Sequence, residues 1–178
     1  MQTDKGFRYA DVISFNWYPG WYNGPADQVV AAWQAKADWV ESNWPTKPFI
    51  ISETGAGGID GNRSSNLSRW SEEYQSLGER KRSSSEPSHS DAAVPSHYFA
   101  HLTCSTPHWP VDGFDVGVAM NSSKIAGIAL WQFTDIKVDA LNSSTNRPGG
   151  INNKGVLDRF RRPKLSALRV ASIFAGGA

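Results

Sequence analysis

Pro48-Phe49-Ile50-Ile51-Ser52-Glu53-Thr54-Gly55-Ala56-Gly57-Gly58 is the stretch that decides the fold. It opens as an apolar run without polar alternation, the pattern of a strand buried on both faces in a parallel sheet under helices. It then breaks into a carboxylate followed by small, turn-forming residues. A carboxylate at the C-terminal end of a parallel strand lies at the mouth where such folds do chemistry. Taken alone, Glu53 is either such a group or simply the first polar residue beyond a core strand.

Upstream, residues 11–18 repeat the layout. Val12, Ile13 and Phe15 make a short strand that ends in Asn16-Trp17-Tyr18 and closes on the turn signal Pro19-Gly20. Between the two strands, Pro25 and Asp27 mark a helix start. Val30, Trp33, Ala37, Val40 and Trp44 then recur at spacings of three and four, which is one apolar helix face, and Pro45 ends it. Trp33 and Trp44 are read as helix-to-sheet packing. Strand, helix and strand in this order form a right-handed parallel crossover.

Downstream, Trp70-Ser71-Glu72-Glu73-Tyr74-Gln75 starts a helix. The character changes between Leu77 and Asp112, where Ser, Pro, His and charge dominate without a sustained period, the composition of loop or disorder. His89, His97, His101, His108 and Cys104 all lie there. Apart from the i, i+4 pair His97 and His101, their spacing fits no standard ligand pattern, so no metal site is expected. A structureless insertion this long inside a compact unit is itself unusual. Regular structure is expected to resume at Phe114. Residues 125–133 read as a third buried strand that ends in aromatic and polar residues, Trp131-Gln132-Phe133. A polar loop from Asn142 to Arg147 leads to Gly149-Gly150-Ile151-Asn152-Asn153-Lys154-Gly155, where glycines bracket amide and ammonium donors. The basic run Arg159 to Lys164 reads as solvated surface, and a last helix begins at Ser166.

The bulk properties narrow the function classes. The 178 residues suffice for one domain with a real core. A net charge of +1 gives no electrostatic case for nucleic acid or an anionic membrane surface. One cysteine cannot form an internal disulfide framework. No apolar run approaches the roughly 20 residues that span a bilayer. Eight tryptophans stand out, since aromatics serve both as core and as stacking walls of sugar-binding clefts.

Three strands with functional residues at one edge suggest part of a (β/α)8 barrel. The motifs Asn16–Tyr22, Ile51–Ala56, Trp70–Gln75, Leu130–Asp135 and Gly149–Gly155, followed by Arg162-Pro163-Lys164, resemble in order the C-terminal part of a glycoside hydrolase family 2 catalytic barrel of β-glucuronidase type. The resemblance spans residues 1–178 apart from an unstructured insertion at 77–112, which is expected to be a retained intron or gene-model error. It implies an α/β fold, a partial TIM barrel comprising about the last three strands and their helices.

It also implies an O-glycosyl hydrolase acting on terminal β-D-glucuronides. Glu53 matches the catalytic nucleophile and Tyr18 the tyrosine beside it. Trp131 matches a tryptophan on the floor of the sugar site. Asn152 and Lys154 match the element that meets the sugar carboxylate, and an ammonium with an amide beside it suits that task by charge-assisted hydrogen bonds. Retaining hydrolysis needs a second carboxylate about 5–5.5 Å from the nucleophile. The family carries it on an Asn-Glu pair at an earlier strand, upstream of where this sequence starts. No residue here takes that part, Glu72 and Glu73 belonging to the helix start, so the isolated chain is expected to be inactive. The implied partner is a carbohydrate, with no nucleic acid, membrane, metal or cofactor, and the parent enzyme can be homo-oligomeric. The alternatives are a β-galactosidase of the same family and a non-catalytic carbohydrate-binding remnant.

Overall fold

The computed structural model describes residues 5–76, 111–138 and 147–176. The expected insertion through residue 110, with all four histidines and Cys104, and most of the polar loop before Arg147 lie outside the described residues. No helix among the described residues is long and apolar enough to cross a membrane.

The architecture is mixed α/β around a small parallel sheet. Strand β1 (Ile13–Asn16) leads through a 3-10 turn at Ala26–Gln28 into α1 (Val29–Asn43), and β2 (Phe49–Thr54) follows. A short α2 (Glu72–Ser76), α3 (Val111–Asn121), β3 (Gly127–Leu130) and α4 (Leu165–Phe174) complete the larger elements. The sheet order is β1-β2-β3, with both pairings parallel. A two-residue antiparallel pair, β4 (Ile136–Lys137) with β5 (Ile151–Asn152), precedes the Asn-Lys loop.

The apolar face of α1 forms as its spacing predicts, rotated by one residue at its start. Val29, Trp33, Ala37 and Val40 are buried, together with Lys36, whose ammonium lies 3.9 Å from the centroid of the Trp17 ring. Val30 and Trp44 are only half-buried. Ile13 of β1, Phe49 and Ile51 of β2 and Val118 and Ala119 of α3 join this face in the main core. A smaller cluster joins Val116 of α3 to Val170 and Ile173 of α4, with Ile128 and Leu130 of β3 against it.

Two expectations are corrected. The sheet is not buried on both faces. Phe49 and Ile51 are buried, whereas Ile50 and Ser52 are half-buried, and Ser14, Asn16 and Ala129 of the flanking strands are exposed. Helices cover one face among the described residues, so side chains alternate in environment with the two-residue period of a strand. In addition, regular structure resumes at Val111, so Asp112 belongs to a helix rather than to the end of the insertion. Its side chain is buried because it has a hydrogen-bond donor waiting there, the amide of Ala56.

Candidate active site

The site is built on an irregularity in β2. Phe15 pairs with Ile51 and Asn16 with Glu53 on one side, while Ile51 pairs with Ile128 and Thr54 with Leu130 on the other. Both neighbours therefore see one extra residue in β2 after Ile51. Strict alternation from Phe49 and Ile51 would send Glu53 toward the helices. The bulge sends Thr54 there instead, fully buried with its hydroxyl donating to Asp115 of α3 at 2.9 Å. Glu53 is left half-buried on the opposite side. Re-aiming a side chain at a strand end is what bulges do.

Gly55 follows at φ 138°, and a Cβ there would lie 2.7 Å from the carbonyl oxygen of Trp131. Only glycine lets the ends of β2 and β3 approach this closely. The approach is secured by the Trp131 amide, which donates to the Thr54 carbonyl at 2.6 Å. Trp131 itself is 38% exposed.

Tyr18, just beyond β1, donates its hydroxyl to Glu53 Oε1. Burial, then the bond to Glu53 and its negative charge, raise the phenol far above its ordinary range. It therefore keeps its proton and acts on Glu53 as a donor. Lys154 reaches the same place from the opposite end of the chain. It is 2% exposed, and its ammonium lies 4.5, 4.3 and 4.6 Å from the ring centroids of Tyr18, Trp21 and Tyr22. Among the described residues its ammonium makes one polar contact, a long one of 3.5 Å to the Gly55 carbonyl. Burial lowers it to about 7, against an upward pull from the charge of Asp112. Aromatic faces favour the ammonium form and offset part of that burial cost.

Asn152 is 4% exposed on β5 and hydrogen-bonds to neither Glu53 nor Tyr18; no donor among the described residues reaches its Oδ1. The structure thus brings Tyr18, Glu53 and Lys154 together, sets Trp131 at the adjoining strand end, and places Asn152 two residues before Lys154.

Side chains from α2 and the C-terminal segment hold these loops in register. Gln75 donates to the carbonyls of Ala56 at 3.1 Å and Gly155 at 3.0 Å, stitching the loop after Glu53 to the loop of Lys154. Glu72 accepts from the amides of Gly61 and Leu165, and Glu73 from Arg63 and the Ser64 amide. Both are spent on structure and unavailable as acids. Lys164, expected from the sequence to end a solvated basic run, is instead fully buried, because its ammonium finds Asp135 and the carbonyls of Gly58 and Asn153 to donate to.

No family model matches the chain. Over 168 residues it is 29% identical to the β-glucuronidase of Mus musculus and 28% identical to that of Rattus norvegicus. Each alignment covers 93% of this chain and 20% of the relative, so the chain spans about a fifth of the length of the curated relatives it matches. Among solved structures, a glycoside hydrolase family 2 β-galacturonidase from Eisenbergiella tayi bound to galacturonate is similar at TM-score 0.69 and 28% identity, with 98% of this chain and 25% of that one covered. The β-glucuronidase of Bifidobacterium dentium, complexed with coumarin-3-O-glucuronide, is similar at TM-score 0.67 and 26% identity, covering 98% and 22%. This chain resembles part of a glycoside hydrolase family 2 enzyme. Its relatives are glycosidases, and the small parallel sheet is compatible with a partial barrel.

Within that family 2 resemblance, sequence reasoning missed four residues of the site's construction. Trp21 and Tyr22 complete the ring cage around Lys154. Asp112 and Asp115 of α3 grip the strand end that carries Glu53. The available signal was two acids at i, i+3 in an otherwise apolar helix, a placement that exposes neither if the face is buried.

Proposed function

We propose that this chain supplies the nucleophile and the uronate-recognising part of a retaining β-glucuronide hydrolase. β1, β2 and β3 would be the last strands of a (β/α)8 barrel, and the strand ends bearing Tyr18, Glu53 and Trp131 its catalytic mouth. The observation that carries this reading is the convergence of three distant segments on one point. Glu53 accepts the Tyr18 hydroxyl, and Lys154 caps the Tyr18 ring.

In this mechanism a Glu53 oxygen attacks the anomeric carbon while the glycosidic C–O bond breaks, giving a glycosyl ester. The leaving oxygen takes a proton from a second carboxylate, which then removes a proton from the water that hydrolyses the ester with net retention. Tyr18 orients the attacking carboxylate. Lys154 and Asn152 bind the sugar carboxylate, and Trp131 lies under the ring. A buried ammonium with no bonded carboxylate among the described residues suits an acidic sugar; a neutral galactoside would leave it unused.

The second carboxylate is not found among the described residues of the site. Glu72, Glu73, Asp112, Asp115 and Asp135 are all committed to bonds within the fold. We therefore expect the 178-residue chain alone to show no appreciable turnover of an aryl β-glucuronide. Joined to the segment that carries the acid, it should hydrolyse the β-glucuronide and lose that activity on Glu53→Gln. Preference for an aryl β-galactoside, unaffected by Lys154→Met, would replace this reading with the β-galactosidase one. Binding of glucuronate without turnover in any context would leave a carbohydrate-binding remnant. The similarity to a β-galacturonidase favours testing the galacturonide in parallel, since one ammonium serves either epimer.

A further inference from the structure

Asp112 lies on the far side of Gly55 from the ligand-facing groups. Its Oδ1 accepts the Ala56 amide at 2.9 Å, and a Cβ built on Gly55 would stand 3.5 Å from that same oxygen. The carbonyl of Gly55 contacts the Lys154 ammonium. One residue, two beyond Glu53, is thus flanked by a buried acid and a buried cation. Asp112 is 1% exposed and has no bonded cation among the described residues, since Lys164 spends its bonds on Asp135 and two carbonyls. Three residues on, Asp115 is fully buried and takes the Trp33 indole at 2.6 Å and the Thr54 hydroxyl, so it faces the core side of the strand end.

We propose that Asp112 is a positioning residue for uronate recognition, acting as the counter-charge that favours the ammonium form of Lys154 while its hydrogen bond to Ala56 fixes the loop after Glu53. The inference rests on the assignment of Lys154 to the sugar carboxylate. Its chemical logic is electrostatic. The rings around Lys154 exclude water, so a cation there needs a compensating charge, and a carboxylate in direct contact would compete with the substrate's own. A carboxylate one backbone unit away supports the charge without occupying the ligand's place.

The charged groups around the pair are few. Asp115 and Lys164 act on Asp112, while Asp115, Arg147 and Arg69 act on Lys154. Burial raises Asp112 to about 7, with Lys164 and Lys154 pulling it down. Removal of the Asp112 charge takes away the main upward influence on Lys154. Each unit by which Lys154 then falls below the working pH leaves about tenfold less ammonium.

The test is a tryptophan-fluorescence titration of the full chain with glucuronate between pH 5 and 9, for wild type and Asp112→Asn, with Asp115→Asn as comparator. Asparagine keeps an oxygen for the Ala56 amide. Asp112→Asn should bind glucuronate about tenfold more weakly at pH 7.5 and regain wild-type affinity at pH 5.5, where Lys154 is protonated regardless. Asp115→Asn should show a smaller shift. Wild-type affinity and pH dependence in a folded Asp112→Asn chain would overturn the proposal.

Should Asp112→Asn not fold, the wild-type chain with 13C-labelled lysine gives the answer, read by NMR. Lys154 should titrate in two steps, the first shared with a buried carboxylate. A single step in the ordinary lysine range overturns the proposal. If wild type binds no glucuronate at any pH, the assignment of Lys154 to the sugar carboxylate fails instead, a result distinct from either outcome for Asp112.

Discussion

Lys154 and Lys164 lie ten residues apart and are both buried, yet they are built for opposite ends. Lys164 donates to a carboxylate and two carbonyls at 2.7 to 3.2 Å, a full complement for an ammonium. Lys154 has three rings at 4.3 to 4.6 Å and one carbonyl at 3.5 Å. The first arrangement closes a structural joint between the loops after β2 and β5. The second leaves hydrogen-bonding capacity unspent over the ring of Tyr18, whose hydroxyl bonds Glu53. The fully bonded cation serves the fold, and the one caged without a bonded anion among the described residues is the one proposed above to meet the sugar carboxylate.

The comparison can be broken by substitution. Lys164→Met should cost about 3–5 kcal/mol, because it strands Asp135 as an unpaired buried charge; urea unfolding followed by tryptophan fluorescence measures this. A loss below about 1 kcal/mol would remove Lys164 from its structural role. Gln75→Leu should cost about 2–3 kcal/mol in the same assay by unstitching the carbonyls of Ala56 and Gly155. Lys154→Met should keep stability within about 1 kcal/mol of wild type or raise it, since a poorly bonded buried charge is replaced by an apolar chain. Its glucuronate affinity should nevertheless fall at least about tenfold, the minimum for a lost charge-assisted hydrogen bond. A Lys154→Met chain that unfolds like Lys164→Met would erase the distinction.

The buried pair Asp112 and Lys154 should also shape the pH dependence of stability, since each is shifted in the fold. Asp112 is raised from its ordinary 3.8 to about 7, so the folded state holds a proton that the unfolded chain has lost, and stability falls as pH rises from about 4 to 7. Lys154 is lowered to about 7, so the unfolded chain holds the extra proton above that point, and stability recovers between pH 7 and about 10. Unfolding midpoints across that range should show a trough near pH 7. A plateau or a maximum there would contradict the assignment of both groups as buried and shifted.

Much of the fold could be read from local pattern. The 3.6-residue period of Val30 to Trp44 gave α1, and apolar runs broken by Glu53, Tyr18 and Trp131 gave three parallel strands. What stayed hidden depends on partners distant in sequence. The bulge after Ile51 is a mismatch of register with β1 and β3, and nothing in Ile51-Ser52-Glu53 itself announces it. The half-exposed face of the sheet followed from helices packing, among the described residues, on the other face. Asp112 looked like the tail of a polar insertion because its donor, the Ala56 amide, lies 56 residues away. The cage of Lys154 was equally invisible, since its walls come from Tyr18, Trp21 and Tyr22 at the other end of the chain.

The central claim is that Glu53 is a nucleophile in a uronate-selective site, and covalent labelling reaches it without the missing acid. With 2-deoxy-2-fluoro-β-D-glucuronyl fluoride, fluoride leaves without protonation as a Glu53 oxygen bonds to the anomeric carbon. Peptide mass spectrometry of the treated chain should find one fluoroglucuronyl adduct, on Glu53, absent from Glu53→Gln and absent when the galactosyl fluoride is used instead. An unmodified Glu53 in a chain that binds glucuronate, or an adduct on another carboxylate, would contradict it.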